Sequence, residues 1–587
     1  MDSVKTEIRR LNGIAVSPGI AVGRLRVVDR SHLAVDEYPV SRESADGETR
    51  RLRDAFDRTC AELKTLKGQL QATTGDEHLF FIDTHLMILG DERLFSEAAA
   101  NINGSLINAE SALRRTLHRY REVFSAMEDP YLRERISDVE TVIEKVLRNM
   151  AGVPHAPITP DDGQTIVAAH DLSPADILQM DHSRIVGIIT EVGGKTSHSS
   201  ILARAFELPA VAAVEGGGDF SLDGATAILD GFTGEIIVNP DRDTFVDYLE
   251  RQRYNKYVEQ ELLKIAGLPA ETLDGQKLDL KGNVEIPEEG ASVLCHGGTG
   301  VGLYRTEMLF MNRSVMPDEE EQFRVYAAMQ QAITPHPLTI RTMDAGGDKL
   351  LVGHPSFVEQ NPALGVRAIR MSLALPDDFK KQLRAILRVS AFGDVRIMFP
   401  MISGLEELRR ARAMLAEAMA ELDAAGVIYD RNIQVGVMIE IPSAVVVADL
   451  LARESDFFSV GTNDLIQYSL AVDRANEQLS ELYQPLHPAI LRSLRRIVTA
   501  AKEAGIRACI CGEMAGDPLY LPLLLSFGFD ELSMTAASIP KVKKLLRRCD
   551  MKQVNEIADA CLALSTAAEV EMCLKSAITS HLSDSFD

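Results

Sequence analysis

Several patterns that would define a class of protein are absent from this chain of 587 residues. It contains no tryptophan, which by itself says nothing about function. It has no excess of basic residues either: the net charge is −24, which argues against nucleic acid as a general partner. The same acidic charge favours solubility and a basic protein partner.

Cysteine is scarce and long apolar runs are missing. The seven cysteines are dispersed and odd in number, which indicates a reducing cytoplasm rather than a disulfide framework. The longest apolar stretch near the C-terminus, 519–529, is too short to cross a bilayer. Residues 1–20 carry early charges and no continuous apolar core, so we expect no signal peptide and no membrane contact.

One segment with a single histidine is the most informative. Residues 193–200 read GGKTSHSS, and either Thr196 or Ser197 is a natural N-cap for a helix continuing into ILAR. A helix start offers unpaired N–H groups and a positive partial charge, which suit phosphate and disfavour imidazolium. His198 is therefore either a neutral nucleophile that accepts a phosphoryl group or a buried or capping histidine, and both interpretations are open at this point.

The pattern of apolar residues divides the chain into regions. Short strands predicted within 11–30 are followed by a run of helical spacing, and strand and helix signals alternate again from Gln164. A long charged helix with a thin apolar stripe occupies 244–267. We therefore predict a multidomain α/β protein, in which four regions follow one another. They are an α/β domain at 1–35 and 151–242, an inserted all-helical subdomain at 36–150, a linker helix at 243–268, and a C-terminal domain at 269–575.

The C-terminal region repeats a strand followed by a helix, which predicts a (β/α)8 barrel. The predicted strands lie in eight apolar segments: KLDLKGNVE, GVGLYRTE, LTIRTMDAG, VRIMFPMI, QVGVMIEIP, FFSVGTNDL, RACICGEMAG and ELSMTA. Functional residues of such barrels come from the carboxyl ends of the strands. Polar residues that gather at these predicted ends are Arg305, Arg341, Asp344, Glu440, Asn463, Asp464 and Cys511.

The acids and arginines of this set suit a doubly anionic ligand with a metal. Glu440 and Asp464 are predicted at neighbouring strand ends, and Mg²⁺ takes one or two carboxylates plus substrate oxygens. Guanidinium groups give bidentate contacts to phosphate and carboxylate, so Arg305, Arg341 and Arg474 are candidates for a clamp. A ring of ion pairs that only stabilises the top of the barrel is the alternative.

Asn463 can add an amide donor to this clamp. Weaker candidates for the same pocket are Lys349 and Arg367, for which surface charge is the alternative. Cys511 follows a predicted strand beside this anion site, where a thiol can donate or accept a proton. Cysteine also commonly fills a core, and we expect that of Cys509, two residues earlier on the same face.

These motifs resemble one family, Enzyme I of the bacterial phosphotransferase system, the phosphoenolpyruvate–protein phosphotransferases. The resemblance is continuous over nearly the whole chain. It rests on motifs in the family's order: GIAVSPGIAVG, GGKTSHSSILAR, GVGLYRTEMLFM, IRTMDAGGDK, NPALGVRAIR, IMFPMI, FFSVGTNDLIQYSLAVDRAN, YQPLHPAI, CGEMAGD and SMTAASIPKVKKLLR.

The resemblance implies a role for each candidate. His198 would be phosphorylated on Nε2 by phosphoenolpyruvate, and Cys511 would protonate the enolate carbon. Mg²⁺ would lie at Glu440 and Asp464. Phosphoenolpyruvate would be held by Arg305, Arg341, Asn463 and Arg474, with Lys349 and Arg367 nearby.

The resemblance also implies partners. The helical subdomain would dock the small carrier protein HPr, through a face around His85, Met87 and Leu89. Family members dimerise through the barrel domain, so a homodimer is expected. Because His198 and the metal site belong to different domains, His198 must visit both the barrel and HPr, which requires a large hinge motion.

Two other functions share parts of this pattern. Pyruvate phosphate dikinase and phosphoenolpyruvate synthase have the histidine domain and the barrel, but they also need a large ATP-binding domain. Only 197 residues precede His198, and we find no glycine-rich nucleotide loop among them. A non-catalytic regulatory protein of the same fold is disfavoured by the intact set of histidine, acids, arginines and cysteine.

Overall fold

The protein consists of two compact units, Met1–Val258 and Glu259–Asp587. A computed structural model describes residues 8–28, 36–74, 80–125, 136–152, 158–160, 163–194, 197–310, 316–346, 361–474 and 476–582. Among these residues, no helix is both long and apolar enough to cross a membrane.

The first unit contains a mixed β-sheet. Its strands are β1 (Arg9–Asn12), β2 (Ile14–Ser17), β3 (Ile20–Val28), β4 (Thr165–Ala169), β5 (Ile185–Thr190), β6 (Ala210–Ala212), β7 (Thr226–Asp230) and β8 (Glu235–Val238). Within the described residues their order is β1-β8-β7-β3-β4-β5-β6-β2. Strands β3, β4, β5 and β6 run parallel, and the remaining pairs are antiparallel. The sheet thus joins strands from both sides of the helical region.

The N-terminal strands differ in number from the prediction. We expected two short strands within 11–30, and the structure has three segments from Arg9 to Val28. β1 pairs with β8 and β2 pairs with β6, at opposite edges of the sheet, and only Gly13 lies between them, so the sheet must curl until these edges meet. A β-carbon at Gly13 would lie 2.5 Å from the carbonyl oxygen of Ala212, which explains why glycine occupies this position.

Among its described residues, the first unit contains five helices that surround an apolar core of their own, and three further helices. They are α1 (Arg42–Thr74), α2 (Phe80–Gly90), α3 (Glu92–Ser105), α4 (Ala109–Ser125), α5 (Ile136–Ala151), α6 (Pro174–Leu178), α7 (His198–Ala205) and α8 (Arg242–Leu263). Leu52 and Phe56 of α1 are buried at helical spacing, and Leu113 and Leu117 of α4 repeat it. The core formed by α1 to α5 is separate from the core of the sheet.

The second unit is built on a closed parallel barrel. Its strands are β9 (Asp279–Val284), β10 (Val301–Tyr304), β11 (Leu338–Arg341), β12 (Val395–Phe399), β13 (Gln434–Ile439), β14 (Phe457–Val460), β15 (Arg507–Ile510) and β16 (Glu531–Met534). Each strand pairs with the next, and β16 pairs with β9 in the register Glu531 to Asp279, which closes the barrel. Each of the eight predicted apolar segments contains one of these strands.

Helices cover the outside of the barrel. They are α9 (Glu289–Cys295), α10 (Glu307–Phe310), α11 (Glu319–Ile333), α12 (Ile369–Ala374), α13 (Pro376–Val389), α14 (Leu405–Ala425), α15 (Pro442–Val446), α16 (Ala448–Ala452), α17 (Thr462–Leu470), α18 (Pro488–Ala504), α19 (Leu521–Phe527), α20 (Ile539–Leu546), α21 (Met551–Leu562) and α22 (Ala567–Ala577). The strands are buried along their length because both faces are covered, as parallel strands require. The multidomain α/β fold with a C-terminal barrel is confirmed.

An ion pair lies inside the barrel, away from its carboxyl end. The Nζ atom of Lys281 is 2.5 Å from Glu531 Oε2, and both side chains are almost completely buried. Arg396 Nη1 lies 4.0 Å from the same carboxylate oxygen. Burial of these charges is costly unless they remain paired.

We expect Lys281→Met to lower the free energy of unfolding of the barrel by about 3–5 kcal/mol, because Glu531 would lose its closest partner in a buried site. The double variant Lys281→Met, Glu531→Leu should recover most of this loss, since no unpaired carboxylate remains. Urea denaturation followed by circular dichroism measures both. Equal destabilisation of the single and double variants would contradict the prediction.

Candidate active site

The carboxyl ends of the barrel strands bring most of the predicted site residues together. Arg305 and Glu440 come directly after β10 and β13, Arg341 ends β11, and Cys511 follows β15. Asp464 is different: the prediction placed it at a strand end, but β14 stops at Val460 and α17 begins at Thr462. Its carboxylate is therefore in the first turn of a helix, where it still lies at this edge of the barrel.

Arg341 is held between two carboxylates. Its Nη2 lies 3.0 Å from Glu307 Oε1, and its Nη1 lies 3.0 Å from Asp344 Oδ2. Burial alone would lower the pKa of Arg341, but the charges of Glu307, Asp344 and Glu440 raise it above its ordinary value. The guanidinium therefore remains charged although it is 91% buried, with 9% exposure.

Arg367 shares one of these carboxylates. Its Nη2 is 2.9 Å from Asp344 Oδ1 and 3.7 Å from Asp464 Oδ2, and its Nη1 donates to the Tyr468 hydroxyl at 3.2 Å. Burial would lower the pKa of Arg367, and the charges of Asp344 and Asp464 raise it. The surface-charge alternative is wrong for Arg367, because this side chain lies inside the cluster.

Glu440 lies in a crowded acidic environment. Its side chain is buried, and its Oε1 accepts the backbone N–H of Met401 at 2.6 Å. Burial, followed by the charges of Asp464 and Asp344, raises the pKa of Glu440 well above its usual range. A β-carbon at Gly461, the residue after β14, would lie 2.5 Å from Glu440 Oε2, so a larger residue there would displace this carboxylate.

Arg305, Asn463 and Arg474 lie around the same edge. Arg305 Nη1 is 2.6 Å from Glu285 Oε1. Asn463 exchanges two hydrogen bonds with Glu513: its Nδ2 donates to Oε1 and its Oδ1 accepts the Glu513 N–H, both at 3.0 Å. Arg474 is exposed after α17, and its N–H donates to Gln467 Oε1 at 3.2 Å.

The hydroxyl of Tyr483 lies within electrostatic range of charged groups at this edge of the barrel. Burial raises its pKa to about 12, with further contributions from the charge of Glu513 and, in the opposite direction, from Arg474. Asp464 also acts on this hydroxyl. Arg474 and Asp464 therefore both lie within electrostatic range of the Tyr483 hydroxyl.

Cys511 is a buried thiol beside the cluster. Its Sγ lies 3.6 Å from the carbonyl oxygen of Val460. Burial raises the pKa of Cys511 to about 11, so the thiol is protonated at neutral pH. Ser459 and Arg341 oppose this rise, and Glu440 adds to it.

In the first unit, helix α7 begins at His198. Ser197 is the N-cap, and its Oγ accepts the N–H of Ser200 at 3.3 Å. The Ser200 hydroxyl donates to the carbonyl oxygen of Gly194 at 2.7 Å, which ties the glycine pair to the first turn of the helix. Of the two predicted caps, Ser197 is therefore the one used. Thr196 and the imidazole of His198 lie outside the described part.

Comparisons with known proteins add to this geometry. Residues 12–135, 161–234 and 259–551 match the N-terminal, mobile and PEP-binding domains of the PEP-utilising enzymes. A phosphoenolpyruvate-protein phosphotransferase of Cupriavidus necator is 42% identical over 564 residues, with 94% of this chain and 96% of that protein covered. The chain belongs to the phosphoenolpyruvate-protein phosphotransferase family.

Relatives of the same name occur in other bacteria. The protein of Priestia megaterium is 39% identical, and the match covers 97% of this chain and 99% of the relative. That of Haemophilus influenzae is 38% identical, with 96% and 98% covered. The resemblance inferred from the motifs is confirmed, and the chain is a phosphotransferase.

Three residues that contact the arginines of the cluster were missed, or were given no role, in the interpretation of the sequence. Glu307 and Tyr468 were not predicted as site residues, and Asp344 was noted only as a polar strand end. All three contact an arginine of the cluster. The signal for Glu307 was available, because it stands two residues after Arg305 in YRTE.

Two predictions from the family resemblance have different outcomes. Lys349 lies outside the described residues. Of the three residues predicted for a docking face, His85 and Leu89 are buried and only Met87, 48% exposed, faces solvent. His85 and Leu89 therefore belong to the helical core, and docking of HPr by the segment around these three residues stays a prediction.

Proposed function

We propose that this phosphotransferase moves the phosphoryl group of phosphoenolpyruvate to His198, releases pyruvate, and passes the group to a histidine of the carrier HPr. This would be the first step of the sugar phosphotransferase system. The observation that carries the proposal is the match to phosphoenolpyruvate-protein phosphotransferases over 94% of the chain. The charged cluster at the carboxyl end of the barrel supports it, because its arginines suit a small dianion and its acids suit a metal ion.

The arginines would bind and neutralise the substrate. Phosphoryl transfer depends on in-line placement and charge neutralisation more than on covalent assistance. Arg305, Arg341 and Arg474 would hold the phosphate and the carboxylate, with Asn463 as an amide donor and Arg367 beside them. Because Arg341 and Arg367 are already fixed by carboxylates, they would meet the substrate with little loss of side-chain entropy.

The carboxylates fit a divalent cation. Burial, followed by the charges of Asp464 and Asp344, raises the pKa of Glu440, and a bound cation stabilises such buried carboxylates in their charged form. Glu440 and Asp464 would hold Mg²⁺. When bound, Mg²⁺ supplies charge neutralisation for the phosphate oxygens.

His198 would act as the nucleophile. Its position at the start of α7 disfavours the imidazolium form, so the neutral ring is available to attack phosphorus. The enolate of pyruvate leaves, and its terminal carbon takes the proton of the Cys511 thiol. Cys511 then regains a proton from solvent.

The remaining partners follow from the family and from charge. The net charge of −24 favours a carrier with a basic docking face, and their association would weaken with added salt. We also propose a homodimer formed through the barrel domain and action in the cytoplasm, which the seven free cysteines support. The domain limits predicted above remain part of this proposal.

Removal of divalent cations is expected to abolish phosphorylation, because Glu440 and Asp464 would repel the substrate phosphate without them. Activity should return with added Mg²⁺. In Asp464→Asn, the Mg²⁺ concentration for half-maximal activity should rise by at least about tenfold, the effect of losing one strong ligand interaction. Full activity in a chelator would contradict the metal site.

Phosphoenolpyruvate radiolabelled in its phosphoryl group provides the test of function. Incubation with Mg²⁺ should produce protein-bound label that is acid-labile and base-stable, together with an equal amount of pyruvate. Added HPr should remove the label. A requirement for ATP or AMP would instead indicate a dikinase or synthase, and absence of both label and pyruvate would overturn the proposed function.

A further inference from the structure

A chain of hydrogen bonds inside the barrel ends at the backbone of Cys511. Asn283 of β9 donates from Nδ2 to the carbonyl oxygen of Cys511 at 2.8 Å. The Ser533 hydroxyl of β16 lies 2.6 Å from Asn283 Oδ1. Because β16 separates β9 from β15 in the barrel, the contact between Asn283 and Cys511 is made by the Asn283 side chain and not by backbone pairing of the strands.

The orientation of the Asn283 amide follows from the chemistry of its partners. The carbonyl oxygen of Cys511 can only accept, so the NH₂ group of Asn283 must face it. The amide oxygen then faces Ser533, whose hydroxyl donates to it. The carbonyl oxygen of Gly282, 2.9 Å from the same hydroxyl, is a second acceptor at the longer distance. The Cys511 carbonyl therefore fixes which way the amide faces, and the Ser533 hydroxyl, which can donate or accept, holds the amide in place.

The Cys511 peptide needs such a donor because it lies beyond its strand ladder. The pairing of β15 with β16 ends at Ile510 and Leu532. On the other side, the N–H of Cys511 donates to the carbonyl oxygen of Val460 at 3.1 Å. The next residue, Gly512, packs so closely against Thr462 that a β-carbon would collide with its hydroxyl.

These contacts constrain Cys511 from three directions. Its N–H is bound by β14, its carbonyl by Asn283, and the following residue by the start of α17. With both ends of the residue fixed, the direction of the Cα–Cβ bond is set, and the thiol can move only by rotation about that bond. Of these constraints, only the carbonyl contact depends on side chains that have no other described role at the site.

Polar groups at these positions are unusual for a packed barrel interior. Ser533 is almost completely buried, and Asn283 is partly buried. Buried polar groups are costly unless they are hydrogen-bonded, and apolar side chains would fill the space without that cost. The hydrogen bonds of Asn283 and Ser533 remove this cost, and they hold the Cys511 peptide in place.

We propose that Asn283, anchored by Ser533, is a positioning residue that directs the Cys511 thiol toward the substrate. The proposal rests on the acid role of Cys511 in the proposed function. Misplacement of a reacting group by about 1 Å can cost on the order of 100-fold in rate. Loss of the Asn283 donor should therefore slow pyruvate formation by roughly 10- to 100-fold.

A double-mutant cycle separates positioning from general damage. Asn283→Asp keeps the shape and removes the donor but adds a negative charge, Asn283→Leu removes the donor without adding a charge, and Ser533→Ala frees the amide. Each is combined with Cys511→Ala, and pyruvate formation from phosphoenolpyruvate is measured. Ser390→Ala is the matched control, because it removes a buried serine hydroxyl elsewhere in the barrel domain, where that hydroxyl donates to Leu387 and accepts from Asp430.

We expect the Asn283 and Ser533 variants to lower kcat with Cys511 present and to change it by less than about twofold in the Cys511→Ala background. KM for phosphoenolpyruvate and the unfolding midpoint should stay near those of the parent, as should kcat of Ser390→Ala. An equal loss in both backgrounds would show a structural role, and unchanged kcat would show no role; either result overturns the proposal.

A second measurement judges the proposal without the reaction. The rate of Cys511 alkylation by iodoacetamide, followed by peptide mass spectrometry, should rise in Asn283→Leu and Ser533→Ala as the peptide is released. Alkylation of buried Cys549 is the internal control. Unchanged Cys511 alkylation would overturn the positioning role, and a parent protein that forms no pyruvate would overturn the proposed function alone.

Discussion

Replacement of His198 by alanine is expected to abolish the label that phosphoenolpyruvate leaves on the protein. The variant has no nucleophile at the start of α7, so the phosphoryl group has no acceptor. The loss should be complete within the detection limit of an acid-labile phosphate assay. Pyruvate formation should fall with it, because the two products are formed in the same step.

Two controls make this result specific to His198. His118, an exposed histidine on α4, should be replaceable by alanine with full labelling. The His198→Ala protein should still bind phosphoenolpyruvate in the presence of Mg²⁺, measured by calorimetry, because the binding arginines belong to the barrel. Label that persists in His198→Ala would assign the phosphoryl group to another residue and remove the basis of the proposed mechanism.

The second large effect is expected at Cys511. Alanine at this position would remove the proposed proton donor for the enolate carbon, and loss of a general acid typically costs on the order of 10²- to 10⁴-fold. Pyruvate formation should fall in that range while phosphoenolpyruvate binding is retained. Spectrophotometric detection of pyruvate with lactate dehydrogenase measures the rate.

Cys509→Ala provides the matched control. Cys509 lies two residues earlier on the same strand and is also buried, but no role at the substrate is proposed for it. Its replacement should leave pyruvate formation unchanged. If Cys511→Ala formed pyruvate at the parent rate, the acid role would be wrong, and the thiol would be a packing residue like its neighbour.

The pKa of Cys511 also sets an expectation for the pH profile. A thiol with a pKa of about 11 is protonated throughout the neutral range. Its function as an acid is lost only as the pH rises through that value. The profile of kcat/KM should therefore show no decline between pH 7 and 9 caused by this thiol, and Cys511→Ser should have the same profile in that interval.

The cluster of charges at the barrel top has features of both alternatives, a stabilising ring of ion pairs and a site for an anion with a metal. Arg341 and Arg367 form ion pairs with Glu307 and Asp344, as a stabilising ring would. Glu440 lies among the same groups with a raised pKa, which is costly for stability and typical of a functional site. The ion pairs can therefore hold the two arginines in place while the pKa of Glu440 stays raised.

Much of this protein could be predicted from its sequence. Strands that are buried on both faces appear as continuous apolar runs, and all eight barrel strands were located in this way. Helical spacing identified the helical region of the first unit, and the two candidate caps, Thr196 and Ser197, marked the start of α7. These are local properties, because a strand, a helix or a cap depends on residues close in the chain.

The tertiary structure alone decided how distant residues meet. Nothing in the sequence indicates that Asp344 lies between Arg341 and Arg367, or that Asn283 reaches Cys511, 228 residues away. The burial of His85 and the helical position of Asp464 were also hidden, since both depend on how elements pack. Sequence determined which groups stand at the ends of strands and helices; closure of the barrel determined their partners, because a contact across it requires every intervening strand to be in register.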